Sequence, residues 1–256
     1  MRVFSDLVVL TGRLITHTRR RPVFAIISIV QPLVWLLLFG HLFSAVTELR
    51  GFPGGSYLEY LAPGLAVMAA LFGSAFSGMA LLMDSDRGLL DRLLVTPVSR
   101  WALIGAYVAQ SGLIVMVQAT VILITGLAMG ASLAGGIGGF FAVMLAAFLI
   151  GSAFGALSNA LALVVPRHDA IVGIMNFAIL PLVFLSSMIM AKAAMPGWIR
   201  LVTALNPVDW AVTMARNAFF GEGWAQVALN AGLLAVFALA CTGLAATAFS
   251  RFMAKG

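Results

Sequence analysis

Charge is what this sequence has least of. Of its 256 residues only 9% are Asp, Glu, Lys or Arg, and Lys192 and Lys255 are the only lysines. Water-soluble domains carry about 25% charged residues, so a soluble globular fold is excluded. Cysteine is nearly absent too: the lone Cys241 lies in an apolar run, which rules out an intramolecular disulfide. His17, His41 and His168 are far apart and lack ligand spacing, so no metal centre is expected. No phosphate loop GxxxxGK[ST] is present, since the two lysines precede Ala and Gly. The long apolar runs contain almost no ionisable side chain, which deprives a membrane enzyme or an ion-coupled transporter of its working groups. No filter-like sequence suggests a channel. These absences place any energy source outside this chain.

What remains is hydrophobic: 62% of the residues, with a mean hydropathy of +1.08. A bilayer core needs about 20 apolar residues per helix, and six runs qualify, at 23–43, 61–83, 102–129, 140–165, 171–191 and 225–249. The short alternating segments of a β-barrel are missing. The expectation is an all-α polytopic membrane protein with six transmembrane helices in a single domain, 1–256. Gln31-Pro32 and Pro181 fall mid-span, where proline predicts kinks. Gly73 with Ser77, Ser74 with Gly78, and Gly151 with Gly155 are each four residues apart, which permits close helix approach. The last pair is expected to pack within one chain. Gln31, Gln110, Gln118, Asn159, Asn176 and Asn230 are expected to bond between helices.

Three segments do not fit the spanning pattern. Residues 1–21 place Phe4, Leu7, Val8, Thr11, Leu14, Ile15 and Thr18 on one helical face opposite Arg2, Asp6, Arg13, His17 and Arg20. That predicts an amphipathic helix lying in the membrane interface. Residues 48–60 read as an external loop with Tyr57 and Tyr60 at headgroup level. Residues 192–224 are too polar to cross and too apolar for a loop. They predict two short helices broken at Asn206-Pro207, a re-entrant helical hairpin before the sixth span. One helix has an apolar face of Trp198, Ile199, Val202 and Leu205, the other of Trp210, Met214 and Phe219. Asn206 and Asp209 are expected to cap these helices.

The stretch DSDRGLLDRLLVTPVSR, 84–100, holds six of the 24 formally charged side chains. Asp84, Asp86, Arg87, Asp91, Arg92 and Arg100 are costly in hydrocarbon, so the stretch is expected in water or at an interface. Leu89, Leu90, Leu93 and Leu94 fall at helical spacing and Pro97 ends the run, which predicts a short amphipathic helix between spans two and three. With both termini inside, eleven of the 15 basic residues fall in the cytoplasm, Arg13, Arg19, Arg20 and Arg21 among them. Only Arg50, Lys192, Arg200 and Arg216 fall outside. The net charge of +6 is therefore topological, and no nucleic-acid partner is expected.

YLEYLAPGLAVMAALF, DRGLLDRLLVTPVSR and LNPVDWAVTMARNAFFG together resemble the permease subunits of bacterial ATP-binding-cassette exporters of the daunorubicin-resistance and nodulation-export type. Family members tend to read ERGTLERLLVTPVSR at the central motif. Gly88, Asp91, Arg92 and the run Leu93 to Arg100 match that pattern closely, with mild departures at Asp86 and Leu89. The resemblance implies a multi-pass protein of the bacterial cytoplasmic (inner) membrane. It would pair with a second copy, or a related permease, and bind two ATPase subunits that carry ATP and Mg; this chain binds no cofactor. It implies that Asp86, Arg87, Leu90, Asp91, Arg92, Leu93 and Leu94 form a cytoplasmic coupling helix docked on the ATPase. It also gives Gln31, Pro32, Asn176 and Pro181 a place along the translocation path. The cargo would be a hydrophobic or amphipathic molecule: a drug, a lipid-linked compound or a glycan. The competing reading is a membrane anchor or assembly factor that recruits a cytoplasmic partner through 84–100 and transports nothing.

Overall fold

Apolar surroundings offer no partner to a backbone N–H or C=O, so a long apolar run satisfies them within itself, as a helix. The computed structural model describes residues 2–19, 29–38, 57–88, 100–188, 192 and 195–253, and every regular element among them is helical. In chain order these are α1 (Arg2–Arg19), α2 (Ile29–Leu38), α3 (Tyr57–Ala75), α4 (Ser77–Asp86) and α5 (Arg100–Ala128). There follow α6 (Gly136–Val164), α7 (His168–Phe184), α8 (Gly197–Ala204), α9 (Pro207–Phe220) and α10 (Trp224–Met253). Among the described residues, four candidate spans are long and apolar enough to cross a membrane: α3 with α4, α5, α6 and α10. The expected first and fifth spans correspond to the shorter apolar helices α2 and α7. At ~1.5 Å per residue, α7 falls a little short of a ~30 Å hydrocarbon core.

The core forms around α6, which packs against α3, α4, α5, α9 and α10. Small residues make this possible. A Cβ on Gly151 would stand 2.5 Å from Val115 Cγ2, and one on Gly155 2.9 Å from Ser111 Cβ. The Gly151/Gly155 pair therefore packs inside one chain, against α5. A Cβ on Gly78 would meet the Ser158 carbonyl oxygen at 2.2 Å. The second span breaks at Phe76, between α3 and α4. Ser74 Oγ bonds back to the Ala70 carbonyl at 2.7 Å, a competition with the helix ladder that bends helices. Beyond the break, the Gly78 N–H donates to Ser158 Oγ at 3.0 Å. By contrast α10 buries one stripe, with Val227, Leu234, Ala238, Cys241, Ala245 and Phe249 inward and Leu229, Leu233, Val236, Leu239 and Leu244 exposed.

The glycine-rich turn before α6 receives the end of α9. Gly135 N–H donates to the Phe219 carbonyl at 2.9 Å, and a Cβ on Gly139 would stand 2.2 Å from the Ala218 oxygen. Gly221, at φ 72°, ends α9 in the left-handed conformation that glycine adopts without strain.

Several expectations need correction. Tyr57 and Tyr60 belong to α3 and are buried, because helical contacts and a partner for the Tyr60 hydroxyl draw them inward. In α1 the inward side is Leu10 and Thr11 with Leu7 and Leu14 beside them, while Val8 and Ile15 are exposed. Trp198, Val202 and Leu205 of the first hairpin segment are exposed and Ile199 is half-buried. Met214 and Phe219 of the second are core residues. The helix of the second span runs through Asp86 and stops at a turn whose Gly88 has φ 66°, so no separate helix starts at Asp84. Residues 89–99 lie outside the described residues.

Gly78→Val should lower stability by about 1–3 kcal/mol, because the Cβ contact it makes is with backbone. Gly173→Ala, with nothing within 4 Å of the added atom, should be neutral or slightly stabilising. Thermal unfolding of the detergent-solubilised variants measures both.

Candidate functional site

The helices bring polar side chains together at two opposite ends of the bundle, which we call the α1 end and the hairpin end. At the α1 end, α4 finishes and α5 begins. Asp84 and Tyr107 are both buried, and the Tyr107 hydroxyl donates to Asp84 Oδ2 at 2.7 Å. Of the described charged side chains in this stretch, Asp84 lies inside the protein while Asp86 and Arg87 are exposed, because α5 supplies Asp84 with the donor that water would otherwise provide. Helix α1 lies along α5, with Leu7 against Gly105 and Gln110 Nε2 donating to the Leu14 carbonyl at 3.4 Å. Asp86, Arg87 and Arg13 are exposed, as are Arg167 and Arg251. Arg19 closes α1. Arg20, Arg21, Leu90, Asp91, Arg92, Leu93 and Leu94 lie outside the described residues.

At the hairpin end, the last turn of α7 meets α3, α8 and α9. Asn206 caps α9, its side-chain oxygen accepting the Val208 N–H at 2.9 Å. Asp209 does not cap. It is buried, accepts the Ser187 hydroxyl at 2.5 Å, and pairs with Lys192 at 2.5 Å. The Arg216 guanidinium lies over the Tyr60 ring, 3.6 Å from its centroid. Nearby, Glu59 accepts the Ser132 N–H at 2.9 Å and the Ser132 hydroxyl, tying the turn after α5 to the start of α3.

Of the residues expected along a path, Pro32 is buried, Asn176 half-buried, and Gln31 and Pro181 exposed. Among the described residues no side-chain hydrogen bond joins one of the four to another. Asn230, also expected to bond between helices, instead accepts from Gln226 of its own helix at 3.2 Å. Sequence reasoning missed Tyr107, Ser187 and Arg216 as contact-making residues. For Arg216 a signal existed: Asn206, Asp209, Thr213 and Arg216 recur at steps of three and four and so share one helix face. Nothing local marks Tyr107 or Ser187.

Long apolar helices with polar joints at both ends define a multi-pass, all-helical membrane protein, whose joints link helix to helix. Residues 5–220 match the ABC-2 type transporter family, and the chain belongs to that family of permeases. It is similar to the ycf38 protein of Cyanophora paradoxa, provisionally named a transport permease, at 31% identity over 86% of this chain and 76% of that one. It is also similar to the daunorubicin resistance ABC transporter permease protein DrrB1 of Streptomyces coeruleorubidus, at 29% identity over 85% of this chain and 77% of the relative. The probable multidrug ABC transporter permease YbhR of Escherichia coli K12 is 24% identical over 78% of this chain and 54% of its own length.

Tyr107→Phe leaves the buried Asp84 carboxylate without its donor and should cost about 1–3 kcal/mol. In a double-mutant cycle with Asp84→Ala, the two losses should fall well short of additivity. Additive losses in thermal or denaturant unfolding would show that the pair does not interact.

Proposed function

We propose that this chain is the membrane subunit of an ATP-driven exporter, moving a hydrophobic or amphipathic molecule out of the cytoplasm or inner leaflet. The observation that carries this reading is membership of the ABC-2 permease family over residues 5–220. Family membership implies an ATP-binding-cassette partner, and the chain has no phosphate loop of its own. In the full assembly, two permease chains bind two ATPase subunits, which hold ATP and Mg. The names of DrrB1 and YbhR favour drug-like cargo, and the scarcity of charge in the spans suits it; lipid-linked compounds and glycans belong to the same amphipathic class.

The α1 end is the cytoplasmic end in this reading, in a bacterial inner membrane with both termini inside. Its support is the clustering there of α1, the turn at Arg87, and the exposed Arg167 and Arg251, as the positive-inside rule requires. Asp86, Arg87, Leu90, Asp91, Arg92, Leu93 and Leu94 contact the ATPase, with α1 and its basic residues in the interface beside them. The Asp84–Tyr107 bond then anchors the connector where α4 meets α5, so a push on it reaches both helices. Helices α8 and α9 form the re-entrant hairpin on the outer side.

Co-expression with a candidate ATP-binding-cassette ATPase subunit and co-purification in detergent, followed by ATPase and vesicle transport assays, tests this reading. Equal stoichiometry of permease and ATPase is the expected result. Arg92→Glu should leave membrane insertion intact, let ATP hydrolysis continue, and lower export by roughly tenfold or more. Wild-type export by that variant would remove the coupling role from Arg92, and failure to bind any ATPase would remove the motor from the proposal.

A further inference from the structure

The segment LNPVDWAVTMARNAFFG places one row of polar side chains against the last turn of α7. Asn206 Nδ2 donates to the carbonyls of Leu182 at 2.6 Å and Leu185 at 3.0 Å. Thr203 Oγ1, from α8, adds a bond to the same Leu185 oxygen at 3.0 Å. Asp209 Oδ1 accepts the Ser187 N–H at 2.9 Å and its hydroxyl at 2.5 Å. The Ser187 carbonyl in turn accepts from Arg216 Nη2 at 3.0 Å and from the Tyr60 hydroxyl at 3.1 Å. Five side chains from α3, α8 and α9 thus hold the chain between 182 and 187. Ser187, itself buried, stands at the centre.

The rest of α7 is held differently. Ile171, Met175, Ile179 and Val183, four residues apart, are its buried side chains. Val172, Ile174, Phe177, Leu180 and Phe184 are exposed. A single apolar stripe has no directional partners, so it shifts against its neighbours at little cost. Separating the Ser187 node would take from Asp209 Oδ1 its two Ser187 donors and from the Ser187 carbonyl the Arg216 and Tyr60 donors, a loss of buried hydrogen bonds that is costly wherever water is scarce. One end of the helix is pinned by directional bonds from three neighbouring elements, and the other is joined to α6 through the three residues 165–167 and otherwise held by apolar packing alone.

We infer that Asn206, Asp209 and Arg216 are positioning residues that pin the fifth span at Ser187, making that end a fixed pivot about which the His168 end swings during the transport cycle. This rests on the exporter reading, and it assigns the three residues to mechanics instead of cargo contact.

Two nitroxide pairs in a Cys241→Ala background, diluted with unlabelled chain, read the motion by electron–electron double resonance in the complex with its ATPase. One pair, Val172 and Leu244, reports the α1 end; the other, Phe184 and Ile137, reports the hairpin end. Trapping with ATP and vanadate should shift the first distribution and leave the second in place. Arg216→Gln should broaden the second and lower transport while hydrolysis persists, and Arg216→Lys, which keeps the charge, should recover part of the loss. An equal shift at both ends, or a fixed α1 end in a complex that transports, overturns the pivot. Hydrogen exchange on the permease alone supplies a test that needs no ATPase. Asp209→Asn or Arg216→Gln should speed exchange across 182–188 by roughly tenfold or more and leave 168–176 unchanged. Unchanged exchange at 182–188 overturns the pinning; faster exchange there in a chain that binds no ATPase supports the pinning and removes the exporter reading.

Discussion

In a chain with so few charges, the governing constraint is that polar groups away from water find partners within the protein. Most are backbone groups and close on themselves in helices. The departures from regular helix show the constraint most clearly. Where the second span breaks at Phe76, Ser158 of α6 receives the Gly78 N–H. Where α7 stops at Phe184, the N–H and carbonyl groups that follow are taken up by Asp209, Arg216, Tyr60, Asn206 and Thr203. Where α5 gives way to α6, Glu59 reaches across to Ser132. Each irregularity has a partner supplied from another helix.

The same constraint divides the molecule mechanically. Helix α4 is locked to α6 by a backbone contact at Gly78, side chains of α5 seat on Gly151 and Gly155 of α6 and on Gly73 of α3, and Asp84–Tyr107 ties α4 to α5 at the α1 end. Helix α9 is locked to α6 through Gly135 and Gly139. Against this block α7 lies along one apolar stripe, and among the described residues its interhelical side-chain hydrogen bonds gather at its last turn. A transporter needs both a part that keeps its shape and a part that moves, and this division offers both.

Much of the helical plan was readable from hydropathy alone, since composition over about 20 residues responds directly to the bilayer. The break at Asn206-Pro207 and the capping role of Asn206 were readable from local chemistry. Other residues were misread for a consistent reason. Asp84 was assigned to water because a carboxylate without a partner belongs there; its partner, Tyr107, lies on another helix. Asp209 resembled a cap by its place in the first turn of α9, yet its oxygens serve Ser187 and Lys192. Tyr57 and Tyr60 resembled headgroup anchors until the helix carried them inward.

The sequence by itself determined that this chain is helical, apolar and multi-pass, that a helix breaks at Asn206-Pro207, and which residues are small enough for helices to approach closely. These are properties of near neighbours, governed by periodicity, side-chain size and the cost of charge in hydrocarbon. The tertiary structure alone decided which polar groups meet. Tyr60 and Ser187 are 127 residues apart and Gly78 and Ser158 are 80 apart. No local pattern encodes such pairs, because each exists only once the close-packed helices around α6 have brought distant turns to the same depth.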